Sequence, residues 1–339
     1  VPYAGVAPTT GGAASSSASF AGDGSPDGPL QLSSCAWLQA IGTNLAAHYL
    51  VVQDIDCTGV DFLPMGELFA GFTGTLDGDD YSIINLTINQ PGENFAGLFK
   101  EVSPGGIVEN LVLQNASVTS AGMVGIIAGY NRGVIENVTV SGTVTATGIN
   151  VGGIVGMNLM GVIRKSFSAV TVNGGGSVGG IVGNNSSGTL EDCFATGNVT
   201  ATTNWVGGLA GLSGDTITNC YATGNISGTS EVGGLVGITN GAFSVINNSY
   251  ATGIITGTTN VGGIVGWEMS GDTTNVYWYN RAGDSASDCI GSPSSSCTSA
   301  PGLSSFYNPL YNVYDTTAPM WDFTTVWLSN NPTTFPTLR

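Results

Sequence analysis

Val124-Gly-Ile-Ile-Ala-Gly129, Val151-Gly-Gly-Ile-Val-Gly156, Val178-Gly-Gly-Ile-Val-Gly183, Val206-Gly-Gly-Leu-Ala-Gly211, Val232-Gly-Gly-Leu-Val-Gly237 and Val261-Gly-Gly-Ile-Val-Gly266 are six versions of one phrase. Their first residues lie 27, 27, 28, 26 and 29 positions apart. A spacing that constant marks an array in which one structural unit is stacked on itself. After each phrase and a polar turn comes a second run, as in Ile135-Glu-Asn-Val-Thr-Val140, Ile163-Arg-Lys-Ser-Phe-Ser168, Leu190-Glu-Asp-Cys-Phe-Ala195, Ile217-Thr-Asn-Cys-Tyr-Ala222 and Ile246-Asn-Asn-Ser-Tyr-Ala251. A third run closes the unit: Val144-Thr-Ala-Thr147, Val170-Thr-Val-Asn173, Val199-Thr-Ala-Thr202, Ile226-Ser-Gly-Thr229 and Ile255-Thr-Gly-Thr258. Three brief β-type runs per period, divided by Gly, Asn or Ser, describe one turn of a parallel β-solenoid. Helical repeats need longer runs of helix formers, and a Gly pair in nearly every unit costs a helix about 1 kcal/mol per Gly. The expected fold is therefore all-β, a right-handed parallel β-solenoid (β-helix) of about 27-residue coils.

Outward from the array the pattern changes at both ends. Residues 1–29 are rich in Gly, Ser, Ala and Pro and read as an extended low-complexity arm. Residues 30–100 read as an N-terminal cap with lead-in coils. Within them a short amphipathic helix carries Leu38, Ile41 and Leu45, a strand begins at Tyr49, and two further strands meet at Asp77-Gly78. Residues 101–274 hold the repeats, and residues 275–339 form an aromatic C-terminal cap that covers the open end of the stack.

Of the 339 residues only 9% are charged, and the net charge of -17 reflects six basic residues set against 23 acidic ones. Lys100, Arg132, Arg164, Lys165, Arg281 and Arg339 contain one adjacent pair, too little for a phosphate-binding surface, so nucleic acid is not an expected partner. No apolar run is long enough to span a membrane as a helix. Six cysteines, none in a CxxC arrangement, point to an oxidising, extracellular setting and away from zinc. The chain opens at Val1 with neither an initiator Met nor a signal segment, which reads as a form secreted and processed by signal cleavage. Three disulfides are expected. Cys35–Cys57 brackets the helix and first strand, Cys193–Cys220 links equivalent places on successive coils about 4.8 Å apart, and Cys289–Cys297 staples a loop.

The phrase Gly-Leu-x-Gly, present as Gly208-Leu-Ala-Gly211 and Gly234-Leu-Val-Gly237 with Ile variants elsewhere, resembles the GLUG-repeat family. The lead-in Tyr49-Leu-Val-Val-Gln-Asp-Ile-Asp56, Phe72-Thr-Gly-Thr-Leu-Asp-Gly78 and the closing Trp321-Asp-Phe323 with Trp327 share that resemblance. It implies a secreted or surface-displayed, adhesin-like β-solenoid. The family's repeats also accompany immunoglobulin A-cleaving metallopeptidases, whose catalytic part needs His-Glu-x-x-His; the single histidine here, His48, does not supply it.

No catalytic residues and no cofactor are expected. Asp54, Asp56 and Asp61 form one acidic group, and Asp77, Asp79 and Asp80 form another. The second is a weak calcium candidate, and tight-turn chemistry is the favoured explanation of it. Thr145, Thr147, Thr200, Thr202, Ser227, Thr229, Thr256 and Thr258 suggest a hydroxyl ladder, of the kind that orders water on ice-binding solenoids. Asn85, Asn115, Asn137, Asn184, Asn185, Asn198, Asn225 and Asn247 head Asn-x-Ser/Thr acceptor triplets. The functional expectation is a non-catalytic extracellular structural protein, a subunit of a pilus-like surface filament or adhesive layer that pairs with itself. Val1, Pro2, Tyr3, Val6 and Phe20 of the arm would add a strand to a neighbouring subunit. The alternatives are a carbohydrate-binding adhesin module that meets surface glycans through Tyr277, Trp278 and Tyr279, and an ice-binding protein.

Overall fold

In the computed structural model the described residues are 21–280, 284–295, 298–300, 327–328 and 337–338. They form a parallel β-solenoid of about nine turns. Two large sheets carry the coils, one of 20 strands and one of 15. At about 4.8 Å per coil the stack is roughly 40 Å long. The parallel register begins before the clear repeats, with Leu30–Leu32 on Tyr49–Val51 and His48–Leu50 on Thr75–Asp77. Asp77-Gly78 is thus a turn within a coil, because Thr75–Asp77 and Ser82–Ile84 each pair in parallel with Ile107–Ser120. At the other end Asp272–Tyr279 lies on Val245–Ala251, and Thr298–Ala300 continues from Tyr277–Tyr279.

In its first five copies the Val-Gly-Gly-Ile-Val-Gly phrase is a corner and not one strand, whereas the sixth lies within the single strand Thr259–Glu268. Strands Ile149–Gly152 and Val155–Leu159 are separated by a bend at Gly153-Ile154, and Gly176–Gly179 and Val182–Ser186 repeat the arrangement. The bend removes the need for alternation, so Val151, Ile154 and Val155 all face the core, as do Val178, Ile181 and Val182. Coil-to-coil bonding persists through it: Ile154 N–H donates to Ile181 O (2.9 Å), Ile181 to Leu209 (3.0 Å), Leu209 to Leu235 (2.9 Å) and Leu235 to Ile264 (2.9 Å). In the later copies the second glycine is required by close approach. A Cβ on Gly208 would sit 2.4 Å from Gly234 O and 2.5 Å from Ala222 Cβ.

A second corner lies between the two halves of the next run. Asn110, Asn137, Lys165, Asp192, Asn219, Asn248 and Asn275 occupy it, all left-handed with φ between 47° and 54°. Asparagine tolerates that conformation better than most residues. The side chains also bond along the stack, Asn137 to Asn110 (2.9 Å), Asn219 to Asp192 (2.9 Å), Asn248 to Asn219 (3.3 Å) and Asn275 to Asn248.

The N-terminal cap is helix Cys35–Ala40, whose Ser34 Oγ accepts from Trp37 N–H (3.3 Å), followed by a 3-10 turn at Ile41–Thr43. Leu38 and Ile41 are fully buried, and Cys35–Cys57 ties the helix to the first coils with Cα atoms 5.2 Å apart. At the far end Trp278 is 1% exposed and occupies the interior column held below it by Ala195, Ala222 and Ala251. Its ring lies where a Cβ on Gly263 would stand, 2.0 Å away, so the indole plugs the top of the core.

Candidate functional site

The broadest uniform surface follows the third run. Buried Ile88, Val118, Val144, Val172, Val199, Ile226 and Ile255 alternate with outward neighbours on both sides. One outward column is Asn89, Thr119, Thr145, Asn173, Thr200, Ser227 and Thr256; the other is Thr87, Ser117, Thr143, Thr171, Asn198, Asn225 and Ile254. All are exposed or half-exposed, and none is charged. The register corrects the expected ladder in two ways. Val172, not Val170, lies between Val144 and Val199, so Asn173 belongs to the hydroxyl column. Thr202, Thr229 and Thr258 lie past the strand ends and donate to backbone carbonyls of Gly175 (3.3 Å), Thr202 (3.5 Å) and Thr229 (2.6 Å).

The acidic groups resolve into turn chemistry. Asp77 Oδ1 accepts from Asp79 N–H (2.9 Å) and Asn110 Nδ2 (3.1 Å), and Asp79 and Asp80 have left-handed φ of 45° and 61°. Asp56 Oδ1 accepts from the Thr58 hydroxyl (2.6 Å) and N–H (2.9 Å), and these bonds with that from Asn85 lower its pKa. Asp54 accepts from Ser82 N–H (2.8 Å). Among the described residues no three His, Cys, Asp or Glu side chains converge to hold a metal ion. The carboxylates face their own turns instead of one another. His48 lies half-exposed in strand His48–Val51, and its N–H donates to Gly24 O (3.0 Å).

Cys193 and Cys220 are not bonded to each other; both are free and buried. The left-handed corner explains why. The residue after it has an N–H that the ladder does not reach, and the side chain of the next coil accepts it. Ser166 Oγ takes Val138 N–H (3.2 Å), Cys220 Sγ takes Cys193 N–H (3.4 Å), and Ser249 Oγ takes Cys220 N–H (3.0 Å). Each side chain also approaches the carbonyl two residues back as a donor, at 2.8 Å for Ser166 and 3.1 Å for Cys193 and Cys220. The thiols stand in for hydroxyls, and burial pushes the Cys220 thiol further up. Cys289 is disulfide-bonded, while its expected partner Cys297 lies outside the described residues.

Tyr277 and Trp278 are buried, at 7% and 1%, and Tyr279 is half-buried, so two of the three rings expected as a glycan platform are withdrawn from solvent. Beside it runs a stack of rings, Phe167, Phe194, Tyr221 and Tyr250, with centroids 4.2, 4.7 and 4.9 Å apart. The assembly residues Val1, Pro2, Tyr3, Val6 and Phe20 lie outside the described residues. One polar centre escaped sequence reading. Glu101 is fully buried, 3.6 Å from Arg132 Nη1, and accepts from Ser103 Oγ (2.9 Å) and from Phe69 N–H. Arg132 stacks 5.7 Å over the Phe69 ring. A lone Glu and a lone Arg thirty-one positions apart gave no signal, since only the coil stacking brings them together.

By fold the chain is a parallel β-solenoid, and part of its repeat array matches a known repeat model. The GLUG motif matches at residues 174–200 and 205–227. Over 129 residues the chain is 38% identical to halomucin of Haloquadratum walsbyi, and over 133 residues 37% identical to a protein of Evansella cellulosilytica named as a Gly-rich membrane protein. These stretches cover 34% and 36% of this chain but 1% and 15% of those proteins, so the chain spans a small part of either relative. A crystal structure of a Bacteroides ovatus protein that carries the name immunoglobulin A1 protease superposes with a TM-score of 0.61, covering 94% of both chains at 20% identity. At that identity the likeness is one of fold.

Proposed function

We propose that this protein is a non-catalytic structural element of the cell exterior, a rigid GLUG solenoid that serves as the subunit of a surface filament or adhesive layer. The observation that carries the reading is the parallel coil-to-coil pairing that runs from Leu30 to Ala300, shifting register at Val140/Gly142 and Gly262/Val265, a rod presenting a long uncharged face. Such a rod supplies length and stiffness, and each coil contacts only its neighbours. Assembly is assigned to the arm. Gln31 N–H donates to Ala21 O and His48 N–H to Gly24 O, so residues 21–24 are stitched to the N-terminal end of the rod. Residues 1–20 precede that end and would pair with another subunit by strand addition, a heterologous contact that propagates. Deleting residues 1–20 should leave the melting temperature unchanged and abolish filaments in electron micrographs. Filaments of normal length from the deleted protein would sink the mechanism.

The exposed hydroxyl and carboxamide face favours a second reading, ice binding. It predicts thermal hysteresis that Thr200→Tyr abolishes without altering the circular dichroism spectrum.

A further inference from the structure

The eight Asn-x-Ser/Thr triplets are equivalent in sequence and sharply unequal in space. An acceptor asparagine must present Nδ2 as a nucleophile, with the hydroxyl two residues on available beside it. Asn85 spends Nδ2 on Thr58 Oγ1 (2.7 Å) and Asp56 Oδ1 (3.1 Å), Asn115 on Asn85 (2.7 Å) and Asn137 on Asn110 (2.9 Å). Asn185 is fully buried, with Nδ2 on Gly188 O (2.7 Å). Asn184 is half-buried with its Oδ1 enclosed, and half-buried Asn247 accepts the Thr218 hydroxyl (2.6 Å).

Asn198 and Asn225 differ from all of these. They share exposure with Asn115 and Asn137, but both sit just outside a strand, at the bend before Val199–Ala201 and Ile226–Ser227. Each is fixed through its oxygen alone: Asn198 Oδ1 accepts Asn225 N–H (3.0 Å) and Asn225 Oδ1 accepts Ile254 N–H (3.0 Å). That bond orients the carboxamide, and among the described residues Nδ2 has no hydrogen-bond partner. Because Val199 and Ile226 point inward, Asn198 shares its outward face with Thr200 and Asn225 with Ser227, both exposed.

We propose that Asn198 and Asn225 are the acceptor sites of this solenoid for N-linked glycan. The donor class is a lipid-linked oligosaccharide diphosphate, used by an oligosaccharyltransferase. Asn Nδ2 forms the new bond to the anomeric carbon, and the anomeric C–O bond to the diphosphate breaks. The electron pair leaves with the lipid diphosphate, and an Nδ2 proton passes to a carboxylate of the transferase. The proposal rests on the extracellular reading only for its occurrence in the living cell. Glycan on these two rungs would cover the uncharged face at its centre and make that face a hydrated flank instead of a docking or ice-ordering surface.

The test uses the folded, full-length protein with a single-subunit oligosaccharyltransferase that accepts Asn-x-Ser/Thr, its lipid-linked donor, and peptide mapping by mass spectrometry. Eight synthetic peptides with the same triplets measure acceptance without the fold. Sugar is expected on the peptides containing Asn198 or Asn225. The double variant Asn198→Gln/Asn225→Gln should lose the mass increase, while Asn137→Gln keeps it. The proposal is overturned if the folded protein takes no sugar while its peptides do, if Asn85, Asn115 or Asn137 is modified as well as Asn198, or if the double variant retains the mass increase. None of these outcomes depends on filament formation, so the structural reading and the glycan assignment fail separately.

Discussion

Two of the corners in each coil are solved in opposite ways. At the Val-Gly-Gly-Ile-Val-Gly corner the chain folds inward and the second glycine is pressed between the next coil and the opposite wall, with Ala195, Ala222 or Ala251 facing it. At the asparagine corner the chain folds outward, and left-handed residues bond to their counterparts above and below. The first corner is fixed by lack of room, the second by conformation and hydrogen bonds. A space-limited corner tolerates little, so the second glycine is kept in five of the six phrases, with Ile126 in its place in the first. A conformation-limited corner accepts Lys165 and Asp192 among its asparagines, at some cost in strain.

The contrast breaks most sharply at Gly208. Gly208→Val places atoms on Gly234 O and Ala222 Cβ, and an overpacked core costs about 1–3 kcal/mol, with more where the backbone cannot yield. Chemical denaturation should show a loss at the top of that range, and a change under about 0.5 kcal/mol would show the wall is softer than the distances imply. At the other corner Asn219→Ala keeps the space but loses the bonds to Asp192 and Asn248 and strains a φ of 54°, costing about 1–2 kcal/mol. Asn219→Gly should recover most of that loss, since glycine enters the left-handed region freely. If Gly and Ala prove equally damaging there, the hydrogen bonds and not the backbone conformation dominate.

The same division explains what could be read in advance. The period and the β character of the runs follow from where Gly, Val and Ile recur, and the solenoid was legible from them. The bend inside the phrase was not, because paired glycines are compatible with either strand phase and only the stacked coils decide it. The asparagine corner was visible only as Asn110, Asn137, Asn219 and Asn248 at a fixed spacing, which composition alone also produces. Site residues fared worse for the same reason. Trp278 reads as an exposed end aromatic until the alanine column beneath it is known, and the Asp77 turn resembles a cation loop until Asp79 N–H and Asn110 are seen to occupy Oδ1.

Cys220 tests the asparagine corner from the next residue. Because its sulfur accepts Cys193 N–H as Ser166 and Ser249 accept theirs, Cys220→Ser should be nearly neutral. Cys220→Ala strands a buried N–H and should cost about 1–2 kcal/mol in urea titration. Both thiols should also resist alkylation in the native protein and react on unfolding. A protein whose two buried cysteines stay unreactive to a thiol reporter after unfolding, and react only once a reductant is added, would mean the two are bonded after all.

The smallest effect lies on the outward column just before that corner, where Asp77, Glu109, Glu136 and Arg164 follow one another in register. Burial raises the Glu109 pKa, and Asp77 and Glu136 add to it, whereas the hydrogen bond from Arg164 lowers that of Glu136. The two signs oppose each other. A carboxyl whose folded pKa is raised binds more protons folded than unfolded just above the ordinary glutamate range, so its contribution falls as pH rises through that window. The salt-bridged Glu136 contributes above its unfolded pKa and loses that contribution as pH falls through its lowered folded value. Glu109→Gln should therefore stabilise the protein at pH 7 by roughly 0.5 kcal/mol, the scale of a cross-strand like-charge pair. The gain should shrink towards zero in acid, where Glu109 is already protonated. Glu136→Gln should do the reverse, destabilising at pH 7 and making no difference in acid. Thermal melts of both variants across pH 3–7 read the two slopes directly, and parallel curves would mean that the rungs of this ladder do not sense one another's charge.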